Sequence, residues 1–174
     1  MTLRKPITIV LGLMLGASSA FACSCIQLGN ADPVAAVTGT DAVFRARVIT
    51  TAMVLTNDDG AILRKGERET PTGFVQRLVA LRVEELFKGE VAPLMILITG
   101  SGAGDCGYAF EDGKEYLVFA TQSSEKRYAR LARSTPVLTT SICSYTRPAE
   151  SAAELLLSLR TKFPPKQPVW VAWP

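Results

Sequence analysis

Four cysteines fix the outline of any fold this chain can adopt, because of where they fall. Cys23 and Cys25 stand one residue apart, while Cys106 and Cys143 stand alone far downstream. A bond between Cys23 and Cys25 would close a strained small ring, so each of the two is expected to reach one distant partner. Four cysteines allow three connectivities. A bridge that closes a loop of roughly 100 residues contributes about 4–5 kcal/mol in the chain-entropy picture. The start of the domain must then lie against its middle and its end. A metal cluster would need two ligand pairs at short spacing, which the isolated Cys106 and Cys143 do not supply.

All four cysteines lie beyond a segment with the three marks of a cleavable export signal. Arg4 and Lys5 supply the positive start, Ile7 to Leu15 the apolar stretch, and Ala20-Phe21-Ala22 the small-residue exit. The apolar stretch is too short for a membrane span, which takes roughly 20 residues. Cleavage after Ala22 would make residues 1–22 a signal peptide and Cys23 the first residue of the mature chain. Residues 23–163 then form one domain and residues 164–174 a tail, 152 residues in all. Ala20 and Phe21 fit a lipoprotein signal poorly. Lipid on Cys23 would bring the chain to a membrane and block its amine. The expected location is secreted or extracellular, or the periplasm if the source is bacterial, where four cysteines read as two disulfides. Without the signal, 17 basic residues face 16 acidic ones. That balance gives no basis for binding nucleic acid or an anionic membrane.

The mature chain reads as mainly β. Asp32-Pro33-Val34 opens a short helix with Asp32 as its cap and Gly39 at the exit. From Ala42 to Leu55 the pattern alternates, with Val43, Arg45 and Arg47 on one face and Phe44, Ala46 and Val48 on the other. Asn57-Asp58-Asp59-Gly60 is a turn that opens a polar excursion over 57–72. Phe74 to Phe87 is a second long strand, ended by Lys88-Gly89. Met95 to Thr99 is an apolar strand. Gly100 to Asp105 is a flexible loop delivering Cys106. Glu115 to Thr121 and Tyr128 to Ala132 complete about five strands. Pro148 starts a helix with Ala152, Leu155, Leu156, Leu159 and Phe163 on one face, and Pro164-Pro165 ends it. The tail carries Trp170 and Trp173. Five strands whose edges need closing, with peripheral helices including one at the C-terminus, predict a five-stranded barrel of the OB type.

The chain has no histidine. That removes Ser-His-Asp and Cys-His nucleophilic sites and the usual general base near neutral pH, and an enzyme is not expected. The carboxylate pairs Asp58-Asp59, Glu84-Glu85 and Glu111-Asp112 are adjacent in sequence. On a strand their members point to opposite faces, and they read as solvated turn or edge charges. Chemistry is left at the new terminus. An α-amino group titrates near pH 7.7–8.0, so a useful fraction is neutral at physiological pH. Its nitrogen and the Cys23 carbonyl oxygen can close a five-membered chelate on a metal. Catalytic zinc keeps one coordination position open for water or substrate, and a terminus held stiff by disulfides could fill it at low entropic cost.

These landmarks resemble the tissue inhibitors of metalloproteinases, specifically their N-terminal netrin-like domain. Cys23-Ser24-Cys25 is similar to the Cys-x-Cys that opens the family's mature chain. Asp41 to Val48 resembles its first strand, and Phe87-Lys88-Gly89 the end of its second. Cys106-Gly107-Tyr108, Tyr116-Leu117-Val118-Phe119 and Leu138-Thr139-Thr140-Ser141-Ile142-Cys143 follow in the family's order. The resemblance implies the pairing Cys23–Cys106 and Cys25–Cys143. It implies an inhibitory wedge of Cys23, Ser24, Cys25 and Ile26 with Ala103, Gly104, Asp105 and Cys106. There the Cys23 amine and carbonyl bind zinc supplied by the target, with no cofactor of the chain's own, and Ser24 enters the specificity pocket. The implied partner is a secreted or surface zinc metalloprotease and the implied state a monomer. The family's third disulfide and its cysteine-rich C-terminal domain are missing, and Ser24 stands where Thr is usual. The alternative is a netrin-like extracellular binding module whose Cys-x-Cys end is structural and inhibits nothing.

Overall fold

The computed structural model describes residue 25 and residues 33–63, 73–102, 104–132 and 137–168. The signal segment, the Asp32 cap, residues 64–72 of the polar excursion, and Trp170 and Trp173 lie outside the described residues.

Two long strands carry the architecture. β1 (Ala42–Thr56) and β2 (Phe74–Lys88) pair antiparallel from Val43↔Lys88 to Thr56↔Phe74. The alternation in β1 sorts its side chains as expected. Phe44, Ala46 and Val48 enter the main core, whereas Val43 packs on the opposite side of the sheet in a second cluster. β3 (Leu94–Gly100) runs antiparallel to β2, and β4 (Glu115–Gln122) runs antiparallel to β1. A two-residue β5 (Leu138–Thr139) lies parallel to β3 at Ile98↔Thr139 and antiparallel to β4. The order β1-β2-β3-β5-β4 therefore returns to β1, and the sheet closes into a five-stranded barrel of the OB type. A short β6 (Arg147–Pro148) adds to β4 at Tyr116 and Leu117.

One expected strand is a helix. Tyr128 to Ala132 belongs to α2 (Lys126–Ala132), counting the short helix Pro33–Ala36 as α1. Leu131 and Ala132 bury against Ile98 and Val137, and Tyr128, three and four residues earlier, packs on the same cluster. Over five residues the helical and strand periods cannot be told apart. The strand that closes the barrel is instead Leu138–Thr139, too short for alternation to show.

The C-terminal helix forms where expected, through a 3-10 turn (Ala149–Ala152) that runs into α3 (Ala153–Lys162). Leu156 and Leu159 bury against Val43, Phe87, Leu117 and Phe119 on the outside of the barrel. Each such side chain contributes about 1.5–3 kcal/mol. After Pro164-Pro165 the backbone of Lys166 returns to β2, donating to Leu86 O at 2.7 Å and accepting from Leu86 N–H at 3.3 Å.

The pair Glu84-Glu85 also departs from expectation. The β1–β2 register passes from Arg45↔Glu85 to Ala46↔Val83, which leaves Glu84 as the extra residue of a bulge. The bulge cancels the alternation, so both carboxylates reach Arg45: Glu84 Oε2 at 2.6 Å from Nη1 and Glu85 Oε1 at 2.7 Å from Nε. Neither is a free surface charge. Arg160 of α3 adds a two-pronged contact to Glu85, with both N–O distances 2.8 Å. Among the described residues no helix is long and apolar enough to cross a membrane.

Candidate functional site

The three described cysteines, Cys25, Cys106 and Cys143, converge on one corner of the barrel. Cys25 is bonded to Cys143 across 118 residues of sequence, with their Cα atoms 5.1 Å apart. Cys106 is also in disulfide form, and its partner lies outside the described residues. The Ile142 N–H donates to the Cys106 carbonyl at 2.9 Å, so the turn that carries Cys143 is tied to the loop that carries Cys106. Of the expected wedge, the structure places Cys25, Gly104, Asp105 and Cys106; Cys23, Ser24, Ile26 and Ala103 lie outside the described residues.

The threonine-rich approach to Cys143 has a clear physical use. Leaving β5, the chain carries backbone groups that no sheet neighbour satisfies, and hydroxyls take over. Thr99 Oγ1 donates to the Thr140 carbonyl at 2.8 Å and accepts from the Tyr108 N–H at 2.8 Å. Thr140 Oγ1 donates to the Phe119 carbonyl at 2.9 Å, and Thr146 Oγ1 accepts from the Phe119 N–H at 2.9 Å. These buried hydroxyls lock β3, β4 and the Cys143 turn to one another. Tyr108, just past Cys106-Gly107, packs on Phe110 and Tyr116 with ring centroids 4.7 and 5.8 Å away, anchoring the far end of the loop in the core.

The loop itself is built around one carboxylate rather than left flexible. Asp105 accepts from the Ser101 N–H at 2.6 Å, the Ser101 hydroxyl at 2.9 Å, the Gly102 N–H at 2.8 Å and the Gly107 N–H at 3.2 Å. Partial burial pushes the Asp105 carboxyl up, but these donors outweigh it and hold its pKa below the ordinary value. The two glycines at the neck are steric requirements. A Cβ on Gly107 would sit 2.1 Å from the Gly100 carbonyl oxygen, and one on Gly100 would sit 2.6 Å from Asp105 Cγ. Cys106 takes a φ of +60°, a left-handed conformation uncommon outside glycine, and its disulfide and the Ile142 bond hold it there. The Asp105 carboxylate thus faces its own loop.

No family model and no curated protein matches the chain.

Beside the loop lies an open cleft of about 580 Å³. Asp105, Cys106 and Ser141 line one wall, and Phe74 and Arg127 the other. The Arg127 guanidinium stacks over the Phe74 ring at 4.3 Å and pairs with Glu125 at 2.5 Å. Sequence reading missed Arg127, which stands just before the expected strand Tyr128 to Ala132, and it missed the loop-ordering work of Asp105. The signal for the second was present: an aspartate three and four residues after Ser-Gly, where its oxygens can reach their N–H groups. Among the described residues no cluster of three or more Cys, Asp or Glu is placed to hold a metal ion.

Proposed function

We propose that the chain is a secreted inhibitor of zinc metalloproteases, of the kind that the tissue inhibitors of metalloproteinases represent. In this reading the Cys23 amine and carbonyl bind the zinc of the target protease and Ser24 enters the adjoining pocket. The observation that supports it is the meeting of Cys25, Cys143 and Cys106 at one corner of the barrel. Cys23 lies two residues before Cys25, so the disulfide to Cys143 confines the amine to within about 7 Å of that anchor. If Cys106 pairs with Cys23, the amine is fixed directly. A terminus so restrained loses little further freedom on binding, which is what an inhibitor working through one amine requires.

The experiment compares the native terminus with a chain extended by one alanine before Cys23, against a panel of zinc metalloproteases. The native protein inhibits at least one member, and the extension abolishes inhibition by moving the amine off the metal. Equal inhibition by the two proteins would rule out chelation. Intact mass spectrometry of the exported protein checks the premise: cleavage after Ala22, no lipid, and a loss of about 4 Da for two disulfides. The second reading, a netrin-like binding module with a structural Cys-x-Cys end, draws support from Asp105. A carboxylate consumed inside its own loop shapes that loop but offers a partner little. Lack of inhibition by the native protein across the panel would favour it.

A further inference from the structure

We propose that the exposed face of α3 is a self-association site, on which two copies of this chain pack their C-terminal helices antiparallel about a two-fold axis. The helix carries one more bulky apolar residue than the barrel uses. Leu156 and Leu159 are buried on the barrel, and Leu155 packs half-buried beside them. Leu157 falls outside that face. It is 62% exposed, the largest exposure of any bulky apolar residue described. A single exposed leucine is ordinary; its neighbours on the helix make this one informative.

Glu150, Ala153, Leu157 and Arg160 are all exposed, and all four line one cleft of about 640 Å³ between the helix and the Arg45–Arg47 and Lys114 wall. They therefore share one side of the helix, about a quarter turn round from the side that docks on the barrel. Their spacings are three, four and three residues, which is the spacing of a seam between two packed helices. No residue of this cleft adjoins a segment outside the described residues. The nearest approach in sequence is Glu111, eight residues after position 103.

The order of the stripe selects its occupant. Along the helix it reads acidic, small, large, basic. Turned end for end by a two-fold axis midway between Ala153 and Leu157, it meets its own complement. Leu157 of each copy then lies over Ala153 of the other, so bulk meets a gap and both leucines leave water. Glu150 of each copy lies opposite Arg160 of the other. Glu85 takes Nε and Nη2 of Arg160, both at 2.8 Å, which orders that guanidinium and leaves Nη1 to donate to Glu150 of the second copy. A parallel pair would set leucine on leucine and like charge on like charge, so the sequence favours the antiparallel sense. This goes beyond the inhibitor reading, and it departs from the monomer that the family resemblance implies.

Sedimentation velocity on the purified protein from about 1 µM to about 1 mM, where a small interface saturates, provides the test. The mass should rise toward twice that of the monomer. Leu157→Asp puts a charge at the centre of the seam, and Glu150→Lys sets like charge against Arg160. Both positions are exposed, so the circular dichroism spectrum should stay native. Leu157→Asp should weaken association at least about tenfold and Glu150→Lys about threefold or more. Ser158→Asp, exposed on α3 but outside the stripe, should leave association unchanged. A protein that stays monomeric throughout the range overturns the proposal. So does a dimer that survives Leu157→Asp and Glu150→Lys, or one that Ser158→Asp weakens as much as they do.

Discussion

The Asp105 carboxylate is held by donors within four residues of itself, whereas Glu85 is held by guanidinium groups 40 and 75 residues away. Both groups are stabilised as anions, but their reach differs. Asp105 gathers backbone N–H groups and shapes one loop, the loop that presents Cys106. Glu85 joins β1 through Arg45 and α3 through Arg160, so it holds a helix to a barrel. Local bonds set where a small piece of backbone points. Distant ones set whether whole elements stay docked. The two regions should therefore fail separately, and that separation can be tested.

The largest effect is expected from cutting the staple on the loop side. The double substitution Cys25→Ser with Cys143→Ser frees the chain start and releases a closed loop of 118 residues. It should lower the unfolding free energy by about 2–5 kcal/mol in urea denaturation. The acid-dependent part of stability contributed by Glu85 should survive this change, because none of its partners lies at the disulfide corner. Loss of that pH dependence together with the disulfide would show that the two regions are one unit.

A smaller effect should follow from Asp105→Ala, at about 1–2 kcal/mol, because three backbone N–H groups lose a charged acceptor at a site that water partly reaches. Hydrogen exchange localises it. The amides of Ser101, Gly102 and Gly107 should exchange faster while those of the β1–β4 ladder keep their protection. Uniform acceleration across the barrel would mean that the loop is not a separate device. If the inhibitor reading holds, Asp105→Ala should also weaken inhibition, since it displaces Cys106.

The same contrast explains what the sequence made legible. β1 and β2 are long enough for alternation to show, and Phe44, Ala46 and Val48 fall in the core where the pattern put them. The α3 stripe was legible for the same reason, with Leu156 and Leu159 both buried. Two failures come from elements shorter than any period: a two-residue β5, and an α2 of which only Tyr128 to Ala132 read as structured. Glu84-Glu85 failed because a bulge turned alternation off at that point, and a bulge depends on both strands rather than on one sequence. At the candidate site, cysteine spacing made the convergence of termini and loops legible. The part played by Asp105 was less so, because a glycine-rich run reads as freedom until a carboxylate is seen to occupy its centre.

The smallest expected effect lies on the Glu85 side, and it carries a sign that can be checked. The two-pronged Arg160 contact, assisted by Arg45 and opposed by partial burial, lowers the Glu85 carboxyl from 4.5 to about 2. A carboxyl depressed in the folded state stabilises the fold above its unfolded pKa, and that contribution drains away as pH falls through the folded one. The contribution of this group should therefore be full and constant above about pH 4.5 and should drop progressively between about 4.5 and about 2. Glu85→Gln should cost about 1 kcal/mol at neutral pH, since Arg45 keeps its pairs with Glu84 and Glu115, and should flatten the slope in that acid window. Salt then separates the two carboxylates. The Arg160 end of the pair is 41% exposed, so 1 M NaCl, with a screening length of about 3 Å, should remove most of the Glu85 contribution. Asp105, bonded by backbone N–H groups at 2.6–3.2 Å and in no ion pair among the described residues, should keep most of its own. Equal loss at both would mean that Asp105 is held by the general field of the protein and not by its loop.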